Sequence, residues 1–243
     1  LYIMQERYLG DVHDFYKFLF LKYLSKKLKE KIGLNWYLVS PKQVSLSEDK
    51  KKDGEKRNYL KNKEICNLDS SISEEFINFI QIEKRNIIDF TEQTHLKRYI
   101  KFYNKKITVL QRKSWFQESL FFFKNQEVIF LDPDNGILKN KNKNSLKHIL
   151  IDEINRYLIK KKIVIFTQFQ SYNTNHLIYL REIKDFFLSN NVEILMPILR
   201  NRTAPNTFFV TAGNKKALVK KKLFQLYKMY GEKFKDKVEL VTV

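Results

Sequence analysis

From residue 112 onward the chain alternates between two kinds of segment, and that alternation constrains the fold more than any other feature. Short apolar runs of strand length are separated by longer segments whose apolar residues recur at helical spacing. "RKSWFQESLFFFK" (112–124) reads as a helix and "EVIFL" (127–131) as a buried strand. "SLKHILIDEINRYLIKK" (145–161) is an amphipathic helix, "KIVIFTQF" (162–169) a second buried strand and "NHLIYLREIKDFFLS" (175–189) another helix. "VEILMPIL" (192–199) and "NTFFVTAG" (206–213) form a strand pair around the turn-like "RNRTAPN". A basic helix, "KALVKKKLFQLYKMYGEKF" (216–234), and a terminal strand, "KVELVTV" (237–243), follow. Strands that are apolar on both faces need a layer of helices on each side. The pattern predicts an α/β sandwich on a mainly parallel sheet with a C-terminal antiparallel strand pair, in which 127–131 and 163–169 are neighbours.

The first half is less regular. Residues 11–31 read as a helix from Phe15, Phe18, Leu19, Lys22, Tyr23 and Lys26, with Asp11 or Asp14 at its N-terminus and Gly33 breaking it. "LNWYLVS" (34–40) is a strand candidate ended by Pro41. Residues 41–63, with "EDKKKDGEKR" at their centre, are a solvated loop or a basic arm. "SISEEFINFI" (71–80) opens a helix with Ser71 and Glu74 at capping-box spacing. In "RYIKFYNKKITVL" (98–110), a helix end or a strand, Arg98, Tyr99, Lys101, Phe102 and Tyr103 interleave charge and aromatic rings. That mixture can stack bases and hold phosphates, or it can be a half-buried surface. The whole is read as one α/β domain over 1–243, with 41–111 a helical or basic insertion within it.

Net charge narrows the partners. The 46 basic and 27 acidic residues give +19, and such a charge usually answers a polyanion. Part of it reflects a composition rich in Lys, Asn, Ile and Phe and poor in Gly and Pro, as AT-rich genomes produce. Nucleic acid, RNA or DNA, is the expected partner. No apolar run reaches the roughly 18–20 residues of a membrane span, and no secretory leader is evident, so a cytoplasmic protein without a membrane partner is expected. The single Cys66 excludes an intramolecular disulfide and a cysteine zinc site and reads as a reduced core thiol.

The chemistry should sit at the carboxyl ends of the strands, where ligands gather in open α/β sheets. "IFLDPDNG" (129–136) places Asp132, Pro133, Asp134 and Asn135 just past a strand of that kind, and Gln168 ends the next. The same residues also suit an Asx-type turn with Gly136 at positive φ. Glu118 and His176 are weaker candidates, the first solvent-facing on its helix and the second a cap or surface residue. Trp36 and Trp115 read as core.

"GDVHDFYKFLFLKYL" (10–24) resembles the opening motif of the ribosomal-RNA adenine-N6 methyltransferases and of the related partners of the three-cysteine-motif group. Gly10, Asp14 and Lys17 match the motif, while Asp11, Phe15 and Phe18 stand where it has Asn, Val and His. "LDPDNG" falls where these enzymes carry Asp-Pro-Pro-Tyr. Asp132 and Pro133 match it, and Asp134 and Asn135 replace its second proline and its aromatic residue. The resemblance implies a Rossmann-like, methyltransferase-type sandwich. It further implies S-adenosylmethionine held by Gly10, Asp11, Asp14 and Lys17, and an adenine amino group addressed by Asp132 to Asn135. The family's glycine-rich loop after the first strand is replaced here by "NWYLVSPKQ". Two alternatives therefore stand beside an adenine-N6-type methyltransferase. One is a metal-dependent nuclease or phosphoesterase, with Mg²⁺ or Mn²⁺ on Asp132, Asp134 and Asp11 or Asp14. The other is a non-catalytic nucleic-acid-binding or defence-system partner protein.

Overall fold

The structure, a computed structural model, describes residues 6, 8–40, 43–44, 57–80, 86–139, 145–170, 173–203, 205–213 and 217–243. Its strands are β1 Ile32–Asn35, β2 Ile100–Tyr103, β3 Val128–Leu131, β4 Ile163–Phe169, β5 Ile194–Asn201, β6 Thr207–Ala212 and β7 Val238–Val241. They form one sheet in the order β2–β1–β3–β4–β6–β5–β7. The first four are parallel. β6 runs antiparallel between β4 and β5, and β7 is antiparallel to β5. The expected neighbours β3 and β4 pair in register, Leu131 opposite Phe166, and the expected strand pair is β5–β6.

Eight helices lie among the described residues: α1 Val12–Leu28, α2 Lys63–Cys66, α3 Ser70–Ile80, α4 Ile87–Gln93, α5 Arg112–Phe122, α6 Ile151–Ile159, α7 His176–Leu188 and α8 Ala217–Lys233. Because side chains alternate along a strand, the sheet feeds two cores. Val128 and Phe130 of β3 join α1, α3, α4 and α8 on one face. Ile129 and Leu131 join α5, α6 and α7 on the other. The result is a Rossmann-like three-layer sandwich, and no helix among the described residues is long and apolar enough to cross a membrane.

α1 is the exceptional helix. Eleven of its residues from Asp14 to Ser25 are buried, because the sheet covers one side and α3, α4 and α8 cover the others. Phe15, Phe18, Phe20, Leu21 and Leu24 have no exposed surface, and each such side chain contributes roughly 1.5–3 kcal/mol on burial.

Several boundaries differ from expectation, each for a local reason. α1 stops at Leu28, where Lys29 takes φ +58 and its N–H returns to the Ser25 carbonyl. Gly33 does not break the helix but lies inside β1, where a Cβ would stand 2.6 Å from the Phe123 ring. β1 ends at Asn35 instead of reaching residue 40, since Tyr37 turns the chain at φ +51. The segment 98–110 yields β2. The helix expected from 145 begins at Ile151, because the Glu153 carboxylate takes the Leu150 N–H and fixes the start there. Asp69, not Ser71 with Glu74, caps α3: its carboxylate accepts from Ile72 N at 3.3 Å and from Ser71 Oγ at 2.7 Å. Most of the lysine-rich stretch 41–63, from 45 to 56, lies outside the described residues.

Candidate functional site

α1 delivers its first turns to the carboxyl ends of β3 and β4. Asp11 is its N-cap, accepting hydrogen bonds from His13 N at 2.9 Å and Asp14 N at 3.0 Å. Asp14 and Lys17 follow at helical spacings of three, which puts them on one side of α1. Lys17 Nζ bridges Asp14, at 2.5 Å from Oδ1, and Asp132, with which it pairs directly. Thr167 Oγ1 donates to the other oxygen of Asp132 at 2.8 Å, as the β3–β4 register requires. Gly10 N donates to Asp14 Oδ2 at 2.9 Å, and Tyr59 OH donates to the Gly10 carbonyl at 3.0 Å. The Lys17 ammonium also lies 4.4 Å from the centroid of the Trp36 ring.

The electrostatics follow from three acids meeting one lysine in a buried place. Burial pushes the Asp11 carboxyl up to about 8, and the neighbouring Asp14 charge adds to the effect. Burial also raises Asp132, against the opposing pull of Lys17 and Thr167. For Lys17 burial disfavours the ammonium, but Asp132 and Asp14 outweigh it and hold the group above its ordinary range.

Of the sequence candidates, Asp11, Asp14, Lys17 and Asp132 come together. Gly10 joins them through its backbone, at φ +78. The rest of the Asp132 loop does different work. Pro133 is buried, Asp134 half-buried, and Asn135 exposed with its N–H donated to the Lys147 carbonyl. Gly136 takes φ +75, and a Cβ there would lie 2.2 Å from Gln168 Oε1. Gln168 therefore braces the turn by accepting from Ile137 N at 2.9 Å. The turn at the end of "DPDNG" is as expected, with Gly136 at positive φ, while Asp132 at its beginning is paired with Lys17 and Thr167. Glu118 pairs with Lys105 on the surface, His176 Nε2 sits 3.3 Å from Arg200, and Cys66 is a free, half-buried thiol.

Thr167 is the member of the site that sequence reading missed, while Trp36, in the core as expected, also borders Lys17. A threonine two residues before the end of a strand whose first four residues are apolar was the available signal for Thr167. Trp36 carried none beyond its place directly after β1.

Neither expected cofactor fits these residues. After β1, Trp36, Tyr37, Leu38 and Val39 are all buried, and the Trp36 ring lies nearly parallel to Phe102 at 6.0 Å. Four buried side chains thus stand where the family that the sequence resembles has its glycine-rich loop. The residues assigned to the cofactor, Gly10, Asp11, Asp14 and Lys17, spend the contacts described above on one another and on Asp132. For a metal, the described residues contain no group of three or more His, Cys, Asp or Glu able to hold an ion. Asp11, Asp132 and Asp134 form no such group, and Lys17 already supplies the positive charge between Asp14 and Asp132. Compared with known proteins, the chain matches no family, no curated protein and no solved structure.

Proposed function

We propose that the chain is a nucleic-acid-binding protein on a methyltransferase-like scaffold whose cofactor place is filled by its own side chains. The observation that carries this reading is the buried run Trp36–Val39 together with the Lys17 bridge from Asp14 to Asp132. The first occupies the ground of a cofactor, and the second ties α1 to β3 as a lock. The charge of +19 supplies the affinity for phosphate. Anisotropy titration of labelled single-stranded and duplex oligonucleotides tests it. Affinity should fall steeply with salt, by a log–log slope of about −0.9 per phosphate neutralised on a duplex. Calorimetry with S-adenosylmethionine should give no heat. Absence of binding at low salt, or saturable binding of S-adenosylmethionine, would sink the reading.

An enzymic reading is favoured by one specific observation. Trp36 Nε1 is buried with no hydrogen-bond partner among the described residues, and its ring lies 4.4 Å from the Lys17 ammonium that pairs with Asp132. A donor so placed suits an acceptor brought by a substrate. The check is incubation of nucleic acid with protein and S-adenosylmethionine, or with Mg²⁺, followed by mass analysis for methyl transfer or cleavage. Product lost in both Asp132→Asn and Asp132→Ala points to a metal-type role, since a hard cation wants the charge. Product lost only in Asp132→Ala points to amino methylation, since Asn still accepts a hydrogen bond. No product from the unaltered protein ends this reading.

A further inference from the structure

A cavity of about 400 Å³ opens between the second half of α1, the end of α8 and the turn before α3. That volume falls within the roughly 300–1,000 Å³ of small-ligand sites. Its walls divide by chemistry. Leu19, Tyr23, Leu68, Met229 and Phe234 are apolar or aromatic. Lys22, Lys26, Lys27 and Lys233 are cationic, and Asp69 is the one acid.

The charges are not equivalent. Lys22 is buried and spent on Asp69, at 2.7 Å, and its ammonium also donates to Ser71 Oγ at 2.7 Å. Burial works against the Asp69 carboxylate, but the hydrogen bonds from Lys22 and Ser71 outweigh it and hold the group below its ordinary range. That pair is fixed and neutral. Lys26, Lys27 and Lys233 make no ion pair among the described residues, and each rides against an aromatic ring. Lys26 lies 5.4 Å from Tyr99, Lys27 5.9 Å from Tyr23 and Lys233 5.1 Å from Phe234. Three like charges around one mouth repel each other, so an anion placed among them gains from all three. Tyr99 belongs to the stretch whose interleaved charge and rings the sequence reading singled out, and Lys22 and Lys26 both approach it.

We infer that this cavity binds a nucleoside phosphate, with the phosphate among Lys26, Lys27 and Lys233 and the base over the apolar wall of Tyr23 and Phe234. A phosphate alone would use the rim and leave the apolar wall wet, and an apolar ligand would leave the lysines uncompensated. A nucleotide satisfies both. It can be a free nucleotide or the 5′ end of a strand. The inference deepens the nucleic-acid reading and rests on it only for the second source. The cavity is separate from the Asp132 cluster, since Lys22 follows Lys17 by about 7.5 Å along α1.

Calorimetry with adenosine 5′-monophosphate, inorganic phosphate and adenosine tests the cavity, and a ten-nucleotide strand with and without a 5′-phosphate separates the sources. Adenosine 5′-monophosphate or the 5′-phosphorylated strand should bind at least about tenfold more tightly than phosphate or adenosine. The double variant Lys26→Glu with Lys27→Glu should lose about tenfold or more. Lys106→Glu with Lys113→Glu, an equal change of net charge on exposed lysines elsewhere, should lose little. Tight binding of the mononucleotide marks a free nucleotide, and tight binding of the phosphorylated strand alone marks a chain end. Salt-dependent strand binding that ignores the 5′-phosphate, with no mononucleotide binding, would overturn this inference and leave the nucleic-acid reading standing. Mononucleotide binding without strand binding would do the reverse. Equal losses in the two double variants would also overturn it.

Discussion

Two buried charged clusters lie on opposite faces of the sheet, and they are built on opposite plans. On the α5–α6 side Arg112 meets Glu153 one to one. Arg112 Nε and Nη2 donate to the two Glu153 oxygens at 2.8 and 2.9 Å, and its remaining donors reach the Ser145 and His148 carbonyls. Glu153 also accepts from Leu150 N and Tyr37 OH, each at 3.0 Å. The charge cancels and the hydrogen-bonding capacity is filled. On the α1 side three acids share one lysine, and burial drives two of those acids toward their neutral forms. The residues after β1 serve both clusters: Trp36 faces Lys17, and Tyr37 turns to Glu153. A balanced cluster is a fastener, whereas an acid-rich one stores repulsion that a change of pH or of partner can release.

The difference can be broken most sharply at Lys17. Lys17→Met leaves Asp14 and Asp132 facing each other without their cation. At pH 8 it should cost at least the about 3–5 kcal/mol of a broken buried pair. Lowering the pH to 5 should restore part of that by protonating an acid. Denaturant unfolding at the two pH values measures it, and a cost independent of pH would show that the acids are not coupled through Lys17.

Next in size, Arg112→Ala should cost about 3–5 kcal/mol, because Glu153 is left buried and unpaired. Glu153→Ala should cost a similar amount, since the pair is symmetric in charge. A large gap between the two variants in denaturant midpoints would contradict the one-to-one plan.

Opposite in sign is Asp11→Asn, which should stabilise. The folded Asp11 pKa is raised from 3.8 to about 8, so between those values the unfolded chain has released a proton that the folded chain keeps. Stability from this group is therefore present below pH 3.8 and lost as pH rises toward 8. Asn caps a helix as well as Asp does and does not ionise. The variant should melt higher than the parent at pH 9, by about 2–4 °C per kcal/mol recovered, and match it near pH 4. Parallel melting curves for the two proteins across pH would remove Asp11 from the acid-rich cluster.

The sequence made the second half of the fold legible because its strands are continuous apolar runs between punctuated helices. β3, β4, β5 and β6 fall within two residues of where those runs stand. β1 misled because "LNWYLVS" stays apolar past the point where Tyr37 turns the chain. Buried coil and buried strand look alike when nothing polar marks the change. The site was half legible. Asp11, Asp14, Lys17 and Asp132 were found through motif likeness and strand-end placement, but their pairing across 115 residues could not be read from spacing. Gln168 and Thr167 show the limit clearly. They are adjacent, so they face opposite sides of β4, and a one-residue error in register chooses the wrong partner for Asp132.

The burial of α1 has a consequence for how the chain comes to its shape. Tyr23 OH donates to the Leu226 carbonyl across 203 residues, and Phe20 touches Phe209, Tyr227 and Tyr230. α1 is thus synthesised well before α8, the helix that covers its aromatic flank. Contacts so distant in sequence make folding slow, and while they are missing α1 presents Phe15, Phe18, Phe20 and Leu24 to whatever lies nearby. A chain shortened before α8 should therefore aggregate rather than settle into a smaller version of the same fold, and the growing chain is a natural client for a chaperone until residue 233 is in place.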